Sequence, residues 1–281
     1  MKVIYSPEQN AVFDRKVGSS SPSASKPEKV ISDWEEHGIP MEIIPSSRLT
    51  LKGTSRVHDP EFVMDVMDGD MDNGFGNRSM EVAESLRYTN GSMRKAAELA
   101  FLHKESVCAP VSGFHHAGWS SAEGFCTFNG LMIAAEYIQR VLRRRTTILD
   151  CDYHYGNGTD GILTRRNLAF QTLKISMAFP ILHATAGKHF GADPSRSGEF
   201  FDWLQNQLMS FEEARTKLVI YQAGADPHIN DRSTRRVPHD GATCQERLDS
   251  VRLVQEDWYP NCLESCRWVS GVRRWRHLTC T

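Results

Sequence analysis

The sequence predicts an α/β fold, a mainly parallel sheet flanked by helices in a single domain. Three observations carry that reading. Continuous apolar, β-branched runs recur in VCAPVSG, in Thr146 to Tyr153 and in KLVIYQAG, as in strands buried on both faces. Helical patterns alternate with them, the order of a parallel sheet wrapped on both sides. The residues able to do chemistry fall just past the apolar runs, where such sheets bind ligands.

In chain order, MKVIYS reads as a first strand and GSSSPSASKPE as a Ser/Pro-rich loop. KVISDWEEHGIP is a helix closed by Gly38 and Pro40, and MEIIPS a second strand. HDPEFVMDVMDG opens with Asp59 as N-cap and Pro60 at the first helical position, the preferred pairing of a cap with a ring of fixed φ. GDMDNGFGNRS is turn-rich, and the segment from HDPEFV to GNRS offers a surface for contact between subunits. A helical pattern runs through Ser92–Lys104, and FNGLMIAAEYIQRVLRR is the clearest helix, its arginines suited to a C-terminal dipole. A short helix near Gly161–Arg166, a strand FQTLKIS and a helix over Glu199–Ala214 complete the series.

Composition narrows the function classes. With Lys+Arg 33 against Asp+Glu 35 the net charge is −2, which argues against bulk binding of nucleic acid or an anionic membrane. The N-terminus does not read as a signal peptide, and no apolar run approaches the ~20 residues of a membrane span. Seven cysteines without a CxxC pair suggest reduced thiols and a cytoplasmic protein.

The chain is organised around ILDCDYHYGNG. Alternation along its strand puts Asp150, Asp152 and His154 on one face, and a Gly-Asn-Gly turn ends the strand. Two carboxylates and an imidazole there call either for a cation between them or for solvent around an ordinary Asp–His pair. Two other runs end in comparable residues: VCAPVSG leads into His115 and His116, and KLVIYQAG into Asp226. Converging at strand ends, Asp152, His154 and Asp226 would form a carboxylate–imidazole–carboxylate metal set with a position open for water. The adjacent histidines would serve as general base and general acid.

SGFHHAGWSSAEGFCTFNGLMIAA, LDCDYHYGNGT and YQAGADPHIND resemble, in order, the signature blocks of the histone deacetylase and acetylpolyamine amidohydrolase family, over about residues 1–230. RVHDPEFV, DNGFGNRS and YTNGSMRKAAELA resemble the N-terminal half of its bacterial members. The resemblance implies an arginase/deacetylase-like fold with a sheet of eight strands. It implies zinc-dependent hydrolysis of an acetylated small-molecule or peptide substrate, with one zinc per chain held by Asp152, His154 and Asp226. His115 and His116 would be the catalytic pair, with Asp150 orienting His115 and Asn157 beside His116. Gly124 and Phe125 would wall the substrate tunnel. A monovalent cation, potassium in kind, would lie near Asp150, Asp152, His154 and Ser176. Tyr155 stands where many members carry a further histidine that is not a ligand.

One family element has no counterpart. No Gly-Gly-Tyr follows Asp226, and from Arg232 the resemblance stops. Reading the codons one base later from Arg232 allows a strand GIPIAW and a GGYQ loop. Trp268 followed by Val269 forces a glycine codon in that frame. The expectation is a truncated deacetylase-like domain over 1–230 and a non-homologous, frameshifted tail over 231–281. The sheet would then lack at least one strand, and activity would be impaired.

Overall fold

The computed structural model describes residues 1–11, 23–152, 154–172, 181–190, 199–224 and 268–271. Seven strands pair in the order β2-β1-β3-β7-β6-β4-β5. They are β1 (Lys2–Ile4), β2 (Glu42–Ile44), β3 (Val107–Cys108), β4 (Thr146–Asp150), β5 (Ile181–Thr185), β6 (Leu218–Gln222) and β7 (Trp268–Gly271). Every pairing is parallel. Among the described residues eight α-helices connect or flank them: α1 (Lys26–Glu36), α2 (Leu51–Thr54), α3 (Pro60–Asp68), α4 (Met80–His103), α5 (Gly130–Val141), α6 (Asn157–Thr172), α7 (Ala186–Phe190) and α8 (Phe200–Glu213).

Apolar strands are continuous here because each feeds two cores. Successive strand residues point to opposite faces, and successive residues of these strands join different clusters. Ile4, Val107, Ile148 and Ile220 pack with α3, α4 and α5 through Phe62, Met93, Leu131 and Ile138. Their neighbours Leu149 and Val219 pack on the other face with Trp203, Leu204 and Phe211 of α8. Val3 and Cys108 meet Ile31 and Trp34 of α1 on that second side. Both faces are therefore covered, and the C-terminal ends of β3, β6 and β4 lie along one rim, with β7 between β3 and β6.

Several helix ends follow their caps. Asp59 accepts from the Glu61 N–H at 3.1 Å, Pro60 begins α3, and Gly69 closes it. Ser79 caps α4 by accepting from Val82 N–H. That helix therefore begins at Met80, well before the Ser92 expected from apolar spacing. Ser85, Thr89 and Asn90 hide its period: they are buried, yet their side chains bond backbone carbonyls within one turn.

One expectation is corrected. FQTLKIS is not a strand through its first residues, since α6 runs on to Thr172, and residues 173–180 lie outside the described residues. The strand beside β4 is Ile181–Thr185, in register Ile148↔His183 and Asp150↔Thr185. The tail also contributes to the sheet. Trp268–Gly271 fills the gap between β3 and β6, pairing Val107↔Val269 on one side and Ile220↔Val269 on the other. Without it both neighbours would expose unpaired backbone, so even four residues of a β-forming sequence are stabilised there. The described residues thus hold seven strands where the resemblance implies eight.

His58, between α2 and α3, ties the rim to the helices. It is fully buried, its Nδ1–H donates to the Gly118 carbonyl at 2.8 Å, and its Nε2 accepts from the Asn129 N–H at 2.8 Å. Burial lowers its pKa to about 4, against donation to Gly118, which raises it. Between about pH 6.5 and about 4 the unfolded chain binds a proton that the fold refuses, so stability falls with pH across that window. The loss should be on the order of 3 kcal/mol, from 1.36 kcal/mol per pKa unit. Urea unfolding from pH 7 down to pH 4 should show this slope in the native chain and a shallower one in His58→Gln; equal slopes would contradict it.

Candidate active site at the strand ends

β4 delivers the site. Its five residues are all buried, and it ends at Asp150, which has no solvent exposure. Asp150 Oδ2 lies 2.9 Å from His115 Nδ1, while Oδ1 accepts from the Asp152 N–H at 3.1 Å. Asp152 Oδ1 in turn accepts from the His154 N–H at 2.9 Å. Each carboxylate thus turns the chain toward the next functional residue. Burial opposes ionisation of Asp150, but the imidazoles of His115 and His183 outweigh it and hold the carboxyl below the usual carboxylate range.

The histidine pair comes from the loop after β3. Their ring centroids are 4.0 Å apart. His115 is buried, with Nε2 3.8 Å from Asp152 Oδ1. His116 is half-buried, and its Nδ1 lies 2.6 Å from Asn157 Oδ1. Burial, reinforced by the neighbouring His115, lowers the His116 pKa, against the hydrogen bond to Asn157. Asn129 anchors this loop: its amide donates to the Ala117 carbonyl at 3.1 Å and to Thr159 at 3.0 Å, while its oxygen caps α5.

Asp152 and His154 are the two predicted metal ligands within the described residues; Asp226 and Ser176 lie outside them. Asp152 Oδ1 and His154 Nδ1 are 3.4 Å apart. Two ligands ~2.1 Å from a tetrahedral ion lie about 3.4 Å from each other, so the spacing of this pair suits a shared ion. Gly224, just past β6, adds a second sign: a Cβ there would collide with Asp152 Oδ2, so the strand end must be bare to admit the carboxylate. Another donor group, Asp33, Glu36 and His37 at the end of α1, lies on a part-exposed helix face, as solvated acidic faces commonly do.

Gly124 and Phe125 form a turn beside His116, with φ +57° and +62°. A Cβ on Gly124 would lie 2.5 Å from His116 Cδ2. Phe125 is 37% exposed, and its ring packs 6.3 Å from that of the buried Phe75. A bulky residue at positive φ is a rare conformation, and strain of this kind concentrates at functional sites.

Sequence reasoning missed His183 and Asp160. His183 Nδ1 lies 2.7 Å from Asp160 Oδ1, and its Nε2 lies 3.7 Å from Asp150 Oδ2, an ionic contact too long for a hydrogen bond. Burial disfavours the charged imidazole, yet the two carboxylates outweigh it and raise its pKa. Asp160, which also accepts from Tyr155 at 2.6 Å and Lys188 at 3.1 Å, is held far below the ordinary carboxylate range, chiefly by His183. Only the strand register could have shown this: His183 sits beside Ile148, two residues from Asp150, on the same face.

A family model described as histone deacetylase domain matches residues 22–246. An uncharacterized protein of Picosynechococcus sp. is 29% identical over 202 residues, covering 68% of this chain and 67% of that protein. Acetylpolyamine amidohydrolase 1 of Pseudomonas aeruginosa is 41% identical over 75 residues, 27% of this chain but only 20% of that enzyme. Among solved structures, the HDA15 HD domain superposes with a TM-score of 0.70 at 18% identity, over 98% of this chain and 84% of that one. That likeness concerns the fold alone.

The turn after β4 makes a sharp test of how the site is assembled. At Gly158 a Cβ would run into the backbone of His116 and Ala117, which cannot move without displacing the histidine pair. At Gly161, in the same helix, a Cβ meets nothing within 4 Å. Gly158→Ala should therefore destabilise by about 1–3 kcal/mol, whereas Gly161→Ala should gain up to about 1 kcal/mol from helix propensity. Chemical denaturation of both variants checks the pair, and equal effects would contradict this packing.

Proposed function

The chain belongs to the histone deacetylase domain family, and from that premise we propose that it hydrolyses N-acetyl amides of the acetylpolyamine or acetyl-lysine kind. The observation that carries the proposal is the grouping at one strand end of His115 on Asp150, His116 on Asn157, and the facing Asp152 and His154. Similarity to an acetylpolyamine amidohydrolase favours an acetylated small molecule.

Asp152, His154 and Asp226 are the residues that would hold one zinc ion. Bound there, zinc would polarise the acetyl carbonyl and lower the pKa of a bound water. The remaining work falls to the chain's own groups. Asp150 accepts from His115 Nδ1–H and so leaves Nε2, which faces Asp152, as the atom free to take up and release a proton. His116 has a lowered pKa, is neutral near pH 7 and can take a proton at Nε2. Between them the two rings remove a proton from the attacking water and return one to the departing amine. Gly124 and Phe125 would line the approach of an extended acyl-amine chain. A monovalent cation near Asp150, Asp152, His154 and Ser176 belongs to the same reading.

We further propose that residues 1–230 form the deacetylase-like domain, that 231–281 are a frameshifted tail, and that the chain as it stands is impaired. The support is the absence of a Gly-Gly-Tyr after Asp226. Loss of one oxyanion donor costs about 10²–10³ in rate. A non-catalytic metal-binding remnant is the second reading this absence favours.

Acetate release from N-acetylputrescine and from an acetyl-lysine peptide separates the readings, measured with zinc on this chain and on one carrying the corrected frame. Restored turnover in the corrected chain, slower by about 10²–10³ in this one, is expected. No turnover by a folded, zinc-loaded corrected chain would overturn the hydrolase proposal. Full turnover by this chain would overturn the impairment.

A further inference from the structure

We propose that Glu123 is a positioning residue that sets the tautomer of His116 through Asn157. Asn157 bridges the two side chains. Its Oδ1 lies 2.6 Å from His116 Nδ1, and its Nδ2 donates to Glu123 Oε1 at 2.6 Å.

The bridge has a direction, fixed by what each group can do. A carboxylate only accepts, so Glu123 can be satisfied only by the NH₂ end of Asn157. That choice turns the amide carbonyl toward His116. A carbonyl also only accepts, so the ring must carry its proton on Nδ1 and keep a lone pair on Nε2. With an acceptor at one end, the amide has one good orientation. With a donor there instead, it would turn over, present NH₂ to Nδ1, and move the ring proton to Nε2.

Local structure holds Glu123 in this place. Its N–H donates to the Cys126 carbonyl at 3.0 Å and its carbonyl accepts from the Cys126 N–H at 2.8 Å. The turn so closed contains Gly124 and Phe125 at positive φ. Gly124 lies against the His116 ring, so the same turn that shapes the rim beside His116 also carries the carboxylate to Asn157. Glu123 itself is exposed, and replacing it removes little packing.

The use of Nε2 as a proton acceptor rests on the hydrolase reading, but the tautomer does not, and it can be read without turnover. Two-bond ¹H–¹⁵N spectra of the labelled full chain at mildly alkaline pH distinguish Nδ1–H from Nε2–H in neutral His116. The native chain should show Nδ1–H. Glu123→Lys, which offers only donors, should shift the ratio toward Nε2–H by about fivefold or more, the factor that one ordinary hydrogen bond sustains. Glu123→Gln, able to accept or donate, should fall between, and carries the test if the lysine variant does not fold. An Nε2–H native ring, or a ratio indifferent to both substitutions, would overturn the proposal. A shifted tautomer with unchanged acetate release would uphold it and count against His116 as a proton carrier.

Discussion

Everything at the rim depends on one buried carboxylate. Asp150 ends β4 with no solvent exposure, and an ion so placed is costly unless its lone pairs are used. Here one oxygen orders His115 and the other the backbone of Asp152. The cost of burying the charge is offset by fixing the two groups on which the proposed chemistry relies. His183 approaches from β5 and places a second imidazole against the same oxygen, backed by Asp160. The strand end is therefore an alternating series of carboxylates and imidazoles, each favouring the ionisation of the next.

The sheet makes this grouping possible because all its strands run the same way. His115 and Asp150, 35 positions apart, and His116 and Asn157, 41 apart, meet because strand ends line up, and β3, β4 and β6 end along one rim. The loop after β3 is held by groups outside the reacting set. His58 bonds Gly118 and the Asn129 N–H, and the Asn129 side chain bonds Ala117 and Thr159. Position and chemistry are thus assigned to different residues. The histidines of the proposed chemistry sit at the rim, while His58 is fully buried with both nitrogens used.

Much of this was legible in the sequence, for identifiable reasons. Asp59-Pro60 reads as a helix start because cap and ring act locally, and β4 and β6 read as strands because burial on both faces leaves continuous apolar runs. The pairing of His115 with Asp150 and His116 with Asn157 followed from the resemblance and is present in the structure. Hidden features are those settled by partners distant in sequence. The first half of α4 buries serine, threonine and asparagine, whose hydroxyls and amides bond the helix backbone and erase the apolar period. The first residues of FQTLKIS belong to α6, and the strand that brings His183 beside β4 is Ile181–Thr185, which no sequence pattern marks. The tail's strand could not be foreseen either, because Trp268–Gly271 is held by unpaired backbone on both neighbours rather than by any pattern of its own.

The end of β4 is proposed to hold one metal ion between Asp152 and His154. Titration of the full chain with cobalt(II), whose visible absorption reports coordination number, tests it most directly. One equivalent bound with a tetrahedral spectrum, lost in both Asp152→Asn and His154→Ala, is the predicted result. Binding that survives both substitutions, or an octahedral, solvent-like spectrum in the native chain, would contradict it.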